Sequence, residues 1–204
     1  MHPARKFLIF LFVFLAFVGG GVFMYFAFQG SRVQPQHATV LPSPLALPEF
    51  ALTDHSGNAF TRSDLRENWH VLFFGFTNCP DICPATLQQL SIARSRLAEA
   101  GNAFPEIILV SVDPERDTPE AMAAYVSHFD ADIRGVTGTV EELRKLTTAL
   151  GVFFEKSGNA VSYSVDHTAA VMIIDKDASW QAVFGAPHSI DKFVHDIPIL
   201  TGES

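Results

Sequence analysis

The sequence predicts an α/β fold in which helices cover both faces of a mixed β-sheet. Two runs, the continuously apolar 71–76 and the largely apolar 106–112, have the length and the β-branched or aromatic content of strands buried on both faces. A helical pattern follows each run, and hairpin-like stretches stand before and after this alternation. With 204 residues, 48% of them hydrophobic, the chain can build one core of ordinary size.

The first elements are a hairpin and a strand–helix unit. Apolar residues in 50–52 and 59–60 flank the turn signal 54–58, which predicts a small hairpin. After the strand 71–76, Pro84 suits the first turn of a helix that Gly101 ends. The apolar stripe of this helix has helical spacing and consists of Leu87, Leu90, Ala93 and Leu97.

The second half repeats the alternation and closes with a hairpin. After the strand 106–112, Thr118 can cap a helix that Pro119 opens and that runs through Phe129. The remaining predicted elements are a short strand at 133–136, a helix that starts at a capping box at 139–142 and ends at Gly151, a hairpin of 171–174 with 180–184, and a helix from Ser189 that breaks at Pro198. This order predicts a thioredoxin-like domain with an N-terminal hairpin addition.

The N-terminal part predicts a membrane anchor and a tether. Residues 7–28 carry no charged side chain, and a helix of that length reaches about 33 Å, enough for a bilayer core of roughly 30 Å. We expect an uncleaved transmembrane helix rather than a signal peptide, because the apolar run is long and lacks a small-x-small cleavage site. Residues 1–6 carry the basic side chains and are predicted to be cytoplasmic, which places the remainder on the periplasmic side of the inner membrane. Residues 29–46 read as a flexible, proline-containing tether, and 47–204 as the folded domain. The formal net charge of −8 argues against nucleic acid as a partner.

The chemistry-bearing feature is the cysteine pair Cys79 and Cys83, the only cysteines of the chain, at a strand-to-helix junction. Residues four apart at a helix start can form a disulfide, bind a metal together, or be ordinary buried cysteines. The turn residues around Cys79 predict that it lies near the surface. Cys83, at the positive end of the helix dipole, is expected to have a lowered thiol pKa. Three intervening residues favour a chelate over fast disulfide exchange without excluding either.

His167 is the candidate third ligand, because it stands directly before the predicted strand 171–174, where the sheet could bring it beside the cysteine loop, residues 77–84. The other histidines fall on predicted turns, helix surfaces, the tether or the N-terminus. Two thiolates and one imidazole are a soft donor set, which favours copper over a structural zinc site with four protein ligands. Asp166 is a candidate partner for the imidazole, with an ordinary capping or solvent role as the alternative.

Three spaced motifs resemble the Sco/SenC family of copper chaperones. They are 76–84 with both cysteines, the loop 111–119 and 166–168 with the histidine. The resemblance spans the whole predicted domain. It implies a thioredoxin-like domain, anchored by one helix, that binds copper through Cys79, Cys83 and His167. The donor set itself suits Cu(I), and Cu(II) if a further ligand or water joins. The resemblance also implies a role in assembling the dinuclear copper site of cytochrome c oxidase subunit II, by delivering copper or by reducing the thiols of that site, with subunit II or its assembly factors as partners.

The main hypothesis is therefore copper transfer without catalytic turnover. The alternative is a membrane-tethered thiol-disulfide oxidoreductase that uses Cys79 and Cys83, with His167 merely nearby. A peroxidase is a third possibility, weakened by the lack of an arginine within ten residues before the pair or between the two cysteines. Since the pair can also close into a disulfide, its redox state is predicted to control metal binding.

Overall fold

The computed structural model describes residues 3–29, 34–159 and 163–202, and the chain divides into two compact units, Met1–Gln34 and Pro35–Ser204. The first unit contains one helix, α1 (Pro3–Gln29). Within the described residues, no helix meets a combined requirement of length and apolarity for crossing a membrane. The helix predicted over 7–28 is thus present, whereas its predicted membrane crossing is not confirmed. The predicted tether residues 30–33 lie outside the described residues.

The second unit is built on an eight-stranded sheet with the order β1-β10-β9-β4-β5-β6-β2-β3. The strands are β1 (Thr39–Ala46), β2 (Ala51–Asp54), β3 (Ala59–Thr61), β4 (His70–Gly75), β5 (Glu106–Ser111), β6 (Arg134–Thr137), β9 (Val171–Ile174) and β10 (Ser179–Phe184), with β7 (Phe154–Gly158) and β8 (Tyr163–His167) in a separate two-stranded ribbon. The helices are α2 (Ile82–Glu99), α3 (Pro119–Val126), α4 (Val140–Ala149) and α5 (Ile190–Thr201), with a short 3₁₀ helix at Arg62–Leu65.

The sheet is mixed, as predicted. Strands β4, β5 and β6 run parallel, and the strands outside this central group pair antiparallel. Every residue of β4 is buried, which fits the continuous apolar run that predicted it. Helix α2 packs against α5, and α3 packs against β6. The predicted hairpins β2–β3 and β9–β10 are both present. The carboxyl ends of the central parallel strands therefore meet at one edge, where the cysteine loop begins.

The prediction of a flexible tether over 29–46 is wrong for its second half. Residues 39–46 form β1, which pairs antiparallel with β10. Just before it, the backbone N–H groups of residues 36–38 donate to the carboxylate of Asp196 at 2.7–3.0 Å. Burial alone would raise the pKa of Asp196, but these hydrogen bonds and that of His195 outweigh it, so the pKa lies below its usual value. The folded unit starts at Pro35 rather than near residue 47.

Two helix ends also differ from the prediction. Helix α3 ends at Val126, before the predicted Phe129. Helix α5 continues through Pro198 and ends at Thr201, and Gly202, in the left-handed conformation with φ 76°, caps it. Proline removes only one backbone donor, and the burial of Phe193 and Ile197 on the same helix offsets that loss.

Candidate metal centre

The cysteine loop leaves the sheet at the end of β4 and enters α2 in one tight turn. The N–H of Cys79 donates to the carbonyl of Phe76 at 3.2 Å, and Cys83 lies in the first turn of α2. The Sγ atom of Cys83 packs against Gly75, since a Cβ at that glycine would stand 3.0 Å from the sulfur. Only a residue without a side chain fits between this sulfur and the sheet.

A buried carboxylate fixes the start of the loop. Asp117 is fully buried and accepts hydrogen bonds from the N–H and hydroxyl of Thr77, at 3.1 and 2.6 Å, and from the hydroxyl of Ser111 at 2.6 Å. Burial raises the pKa of Asp117, and the three hydrogen bonds only partly oppose this effect. Asp117 thus ties the end of β5 to the residue that opens the cysteine loop.

The other acidic residue of the same loop ties it to the ribbon. Asp113 is fully buried, accepts from the hydroxyl of Tyr163 at 2.8 Å, and is bonded by the guanidinium of Arg116. That guanidinium lies 3.9 Å from the ring centroid of Tyr163 and 5.7 Å from that of Phe76. Sequence reasoning gave this loop only a capping role. Two acidic residues that directly follow a buried strand at the carboxyl edge of the sheet are the signal it did not use.

His167 is the last residue of β8, and the ribbon carries it to the cysteine loop. Its ring contacts the rings of Phe73 and Phe76 edge-on, with centroids 6.3 and 5.9 Å apart. Its Nε2 lies 3.4 Å from the Sγ of Cys83, and its Nδ1 lies 3.2 Å from the carbonyl oxygen of Thr168. A proton on Nδ1 is therefore donated to Thr168, which leaves the lone pair of Nε2 directed at the sulfur. The expected partner Asp166 is exposed, and the backbone of Thr168 takes the role proposed for it.

The three predicted ligands come together. One donor atom from each of Cys79, Cys83 and His167 lies within 4.8 Å of the other two. Donors bonded to one soft metal ion at about 2.0–2.3 Å lie roughly 3.5–4 Å apart in a trigonal arrangement. The observed separation needs only small side-chain adjustments to reach that spacing. The residues therefore fit a copper ion.

The protonation of Cys83 differs from the sequence prediction. Burial raises the pKa of the Cys83 thiol far above its usual value, and the thiol of Cys79 and the charge of Asp117 add to this effect. The predicted lowering by the helix dipole is wrong, because the fully buried sulfur loses more solvation than the dipole returns. Burial also lowers the pKa of His167, so the metal-free site holds a neutral thiol beside a neutral imidazole.

Cys79 is predicted to lie near the surface, but the structure shows it more buried than that. The residue is buried at 9% exposure, compared with 0% for Cys83. Its neighbours Asn78, Pro80 and Asp81 are exposed, and Ile82 is 37% exposed. The site is therefore open to solvent on the Cys79 side.

A mixed-sheet domain with two cysteines at a strand–helix junction and a histidine on the neighbouring ribbon defines a thioredoxin-like protein with a soft-metal site. The model of the SCO1/SenC family matches residues 39–201. The chain belongs to the SCO1/SenC family.

Individual relatives agree with this assignment. The chain is 32% identical over 178 residues to the mitochondrial protein SCO2 homolog of Homo sapiens, which covers 85% of this chain and 67% of the relative. The copper-bound crystal structure of Arabidopsis thaliana ScoI is 30% identical with a TM-score of 0.72, over 77% of this chain and 98% of that one. Copper-bound yeast Sco1 is 30% identical with a TM-score of 0.70, over 76% and 87% of the two chains.

Proposed function

We propose that this chain is a copper chaperone that carries one copper ion on Cys79, Cys83 and His167. The observation that carries the proposal is the meeting of these three donors within 4.8 Å of one another at the mouth of the domain. Solved relatives with 30% identity bind copper. Copper is the cargo of the reaction, so the site must both hold the ion and release it.

Binding exchanges protons for the ion. In the metal-free site the neutral Cys83 thiol is placed to donate to Nε2 of His167. A soft cation replaces this proton and forms bonds to the sulfur and the nitrogen, which offsets the cost of a buried thiolate. A three-coordinate ion retains an open position, and Cys79 faces the exposed part of the loop. An incoming thiolate of a partner can bind at that open position before Cys83 and His167 dissociate from the ion.

The partner we propose is cytochrome c oxidase subunit II or one of its assembly factors, with the dinuclear copper site as destination. The family resemblance supports this target. The acidic balance of the chain supports a protein partner over nucleic acid. Maintenance of the thiols at the same destination is a second role that the cysteine pair allows.

We also propose that the N-terminal segment anchors the domain to the inner membrane, with residues 47–204 and the preceding strand on the periplasmic side. The support is in the sequence: an uncharged run over 7–28 preceded by Arg5 and Lys6. Alkaline extraction of membranes tests this. The full chain should stay in the membrane pellet, and a chain that starts at Pro35 should be released. Release of both would contradict the proposal.

Thiol-disulfide exchange is the second candidate function, because the two sulfurs are close neighbours at the start of α2. The raised pKa of Cys83 disfavours Cys83 as the attacking thiol, since a neutral thiol is a poor nucleophile at neutral pH. The two roles are coupled in one way. Oxidation of the pair to a disulfide passes two electrons and two protons to an acceptor and removes both sulfur ligands, so oxidation prevents copper binding.

The two roles separate in a transfer assay with the soluble copper-binding domain of subunit II. Copper-loaded chain mixed with the reduced domain should lose copper to it, and His167→Ala, which holds copper more weakly, should carry less copper into the transfer. Metal-free reduced chain mixed with the oxidised domain reports disulfide exchange. Exchange that is fast and independent of His167, together with no copper transfer, would make the protein an oxidoreductase instead.

A further inference from the structure

A second group of metal-binding side chains lies where the segment before β1 meets α5. His37 belongs to that segment, and His195 and Asp196 are consecutive in α5. One nitrogen from each imidazole and one oxygen of the carboxylate lie within 4.8 Å of one another. The group shares no residue with the cysteine site.

The carboxylate is fixed before any ion arrives. Asp196 is fully buried, and its two oxygens accept the N–H groups of Gln36, His37 and Ala38 at 3.0, 2.7 and 2.7 Å. These bonds hold the backbone of His37 against α5. They also explain why an ionised side chain is buried at this point.

The His37 imidazole takes no part in these bonds, whereas the His195 imidazole adds one. Nδ1 of His195 lies 2.6 Å from an oxygen of Asp196, and the rings of His37 and His195 pack edge-on with centroids 5.6 Å apart. His37 is exposed, and the His195 side chain is 37% exposed, so both rings can be reached from solvent. A histidine held by a buried carboxylate is the usual arrangement for a metal-binding imidazole.

The donor chemistry selects the ion. Two imidazoles are nitrogen ligands of intermediate hardness, which suit Cu(II) and Zn(II), whereas Cu(I) prefers thiolates. We propose that His37 and His195 form a second metal site that binds a divalent cation of the Cu(II) or Zn(II) class, with the buried carboxylate of Asp196 orienting the His195 ring. This inference is independent of the proposed chaperone function. An ion bound there fastens the N-terminal segment of the folded unit to α5.

The test is a Cu(II) titration of the full chain, without an affinity tag, in mild detergent. All proteins carry Cys79→Ser and Cys83→Ser, which remove the thiol ligands, and His2→Ala, which removes a histidine next to the amino terminus. In this background we compare His37→Ala, His195→Ala and the control His128→Ala, which replaces another exposed histidine. Equilibrium dialysis gives stoichiometry and affinity, and electron paramagnetic resonance reports nitrogen coupling.

The background protein should bind one Cu(II) with coupling to two nitrogens. His37→Ala and His195→Ala should each weaken binding by roughly tenfold or more and remove one nitrogen, whereas His128→Ala should change nothing. His37→Ala is the decisive variant, because its exposed side chain makes no contribution to the bonds that hold Asp196. Absence of stoichiometric binding in the background protein, or binding that His37→Ala leaves unchanged, would overturn the proposal.

Discussion

Gly75→Ala places one methyl group between the sheet and the cysteine site. The added Cβ would stand 3.0 Å from Sγ of Cys83, 3.2 Å from Cδ1 of Leu109 and 3.2 Å from Cε1 of Phe73. Ordinary contact distances are about 3.5–4.0 Å, so the sulfur must retreat by roughly 0.5–1 Å. Overpacking of this kind costs about 1–3 kcal/mol in a closely packed core. The displaced sulfur also leaves its position 3.4 Å from His167.

The assay is urea unfolding followed by tryptophan fluorescence, since both tryptophans lie in the Pro35–Ser204 unit, together with Cu(I) affinity by chelator competition. Gly75→Ala should lower the free energy of unfolding of the metal-free protein by about 1–3 kcal/mol. It should also weaken copper binding by roughly 10-fold. Gly185→Ala is the control, because a Cβ there meets nothing within 4 Å. Unchanged stability and affinity in Gly75→Ala would refute the placement of the sulfur.

Two further predictions concern charge. Asp117→Asn removes a buried negative charge that contributes to the raised pKa of Cys83. Alkylation of Cys83 at about pH 8, followed by mass spectrometry, should therefore become roughly two- to tenfold faster. An equal or slower rate would contradict this role of Asp117. Burial holds the folded-state pKa of His167 below the ordinary value of 6.5, so the unfolded chain binds the extra proton and stability should be lost as pH falls through that value. Burial also lowers the pKa of His188, which acts on stability in the same direction. His167→Gln and His188→Gln should therefore each reduce the loss of unfolding free energy, measured with urea, between about pH 7.5 and about pH 5.5. If neither variant changes that pH dependence, burial of these histidines is not its cause.

The central strands and helices could be predicted because the sequence signals for them are local. Apolar runs predicted β4 and β5, and Thr139 caps α4 as expected by accepting from the N–H of Glu142 at 3.3 Å. Strand β1 was missed for a physical reason. It contains two prolines, most of its residues are exposed, and its partner β10 lies some 140 positions later in the chain. Nothing local distinguishes such an edge strand from a linker.

The candidate metal site could likewise be predicted only in part. The types and spacing of Cys79, Cys83 and His167 were enough to nominate them as one donor set. The raised pKa of Cys83 could not be predicted from the sequence, because the burial of Cys83 depends on how closely Gly75 lets α2 approach the sheet. The role of Asp117 was likewise invisible, since its partners Thr77 and Ser111 reach it only after β4 and β5 pair.

Cys79, Cys83 and His167 are expected to bind one copper ion together. Anaerobic Cu(I) titration of the reduced full chain against a chromogenic chelator tests this, with Cys79→Ser, Cys83→Ser and His167→Ala measured beside the wild type. His55→Ala, which replaces a histidine outside the site, serves as the control.

One Cu(I) per chain should bind the wild-type protein. Each of the three site variants should bind roughly 100-fold more weakly, and His55→Ala should match the wild type. The same protein oxidised to the disulfide should bind none. A His167→Ala variant that keeps wild-type affinity, or an oxidised protein that still binds one Cu(I), would show that the three residues do not bind copper together.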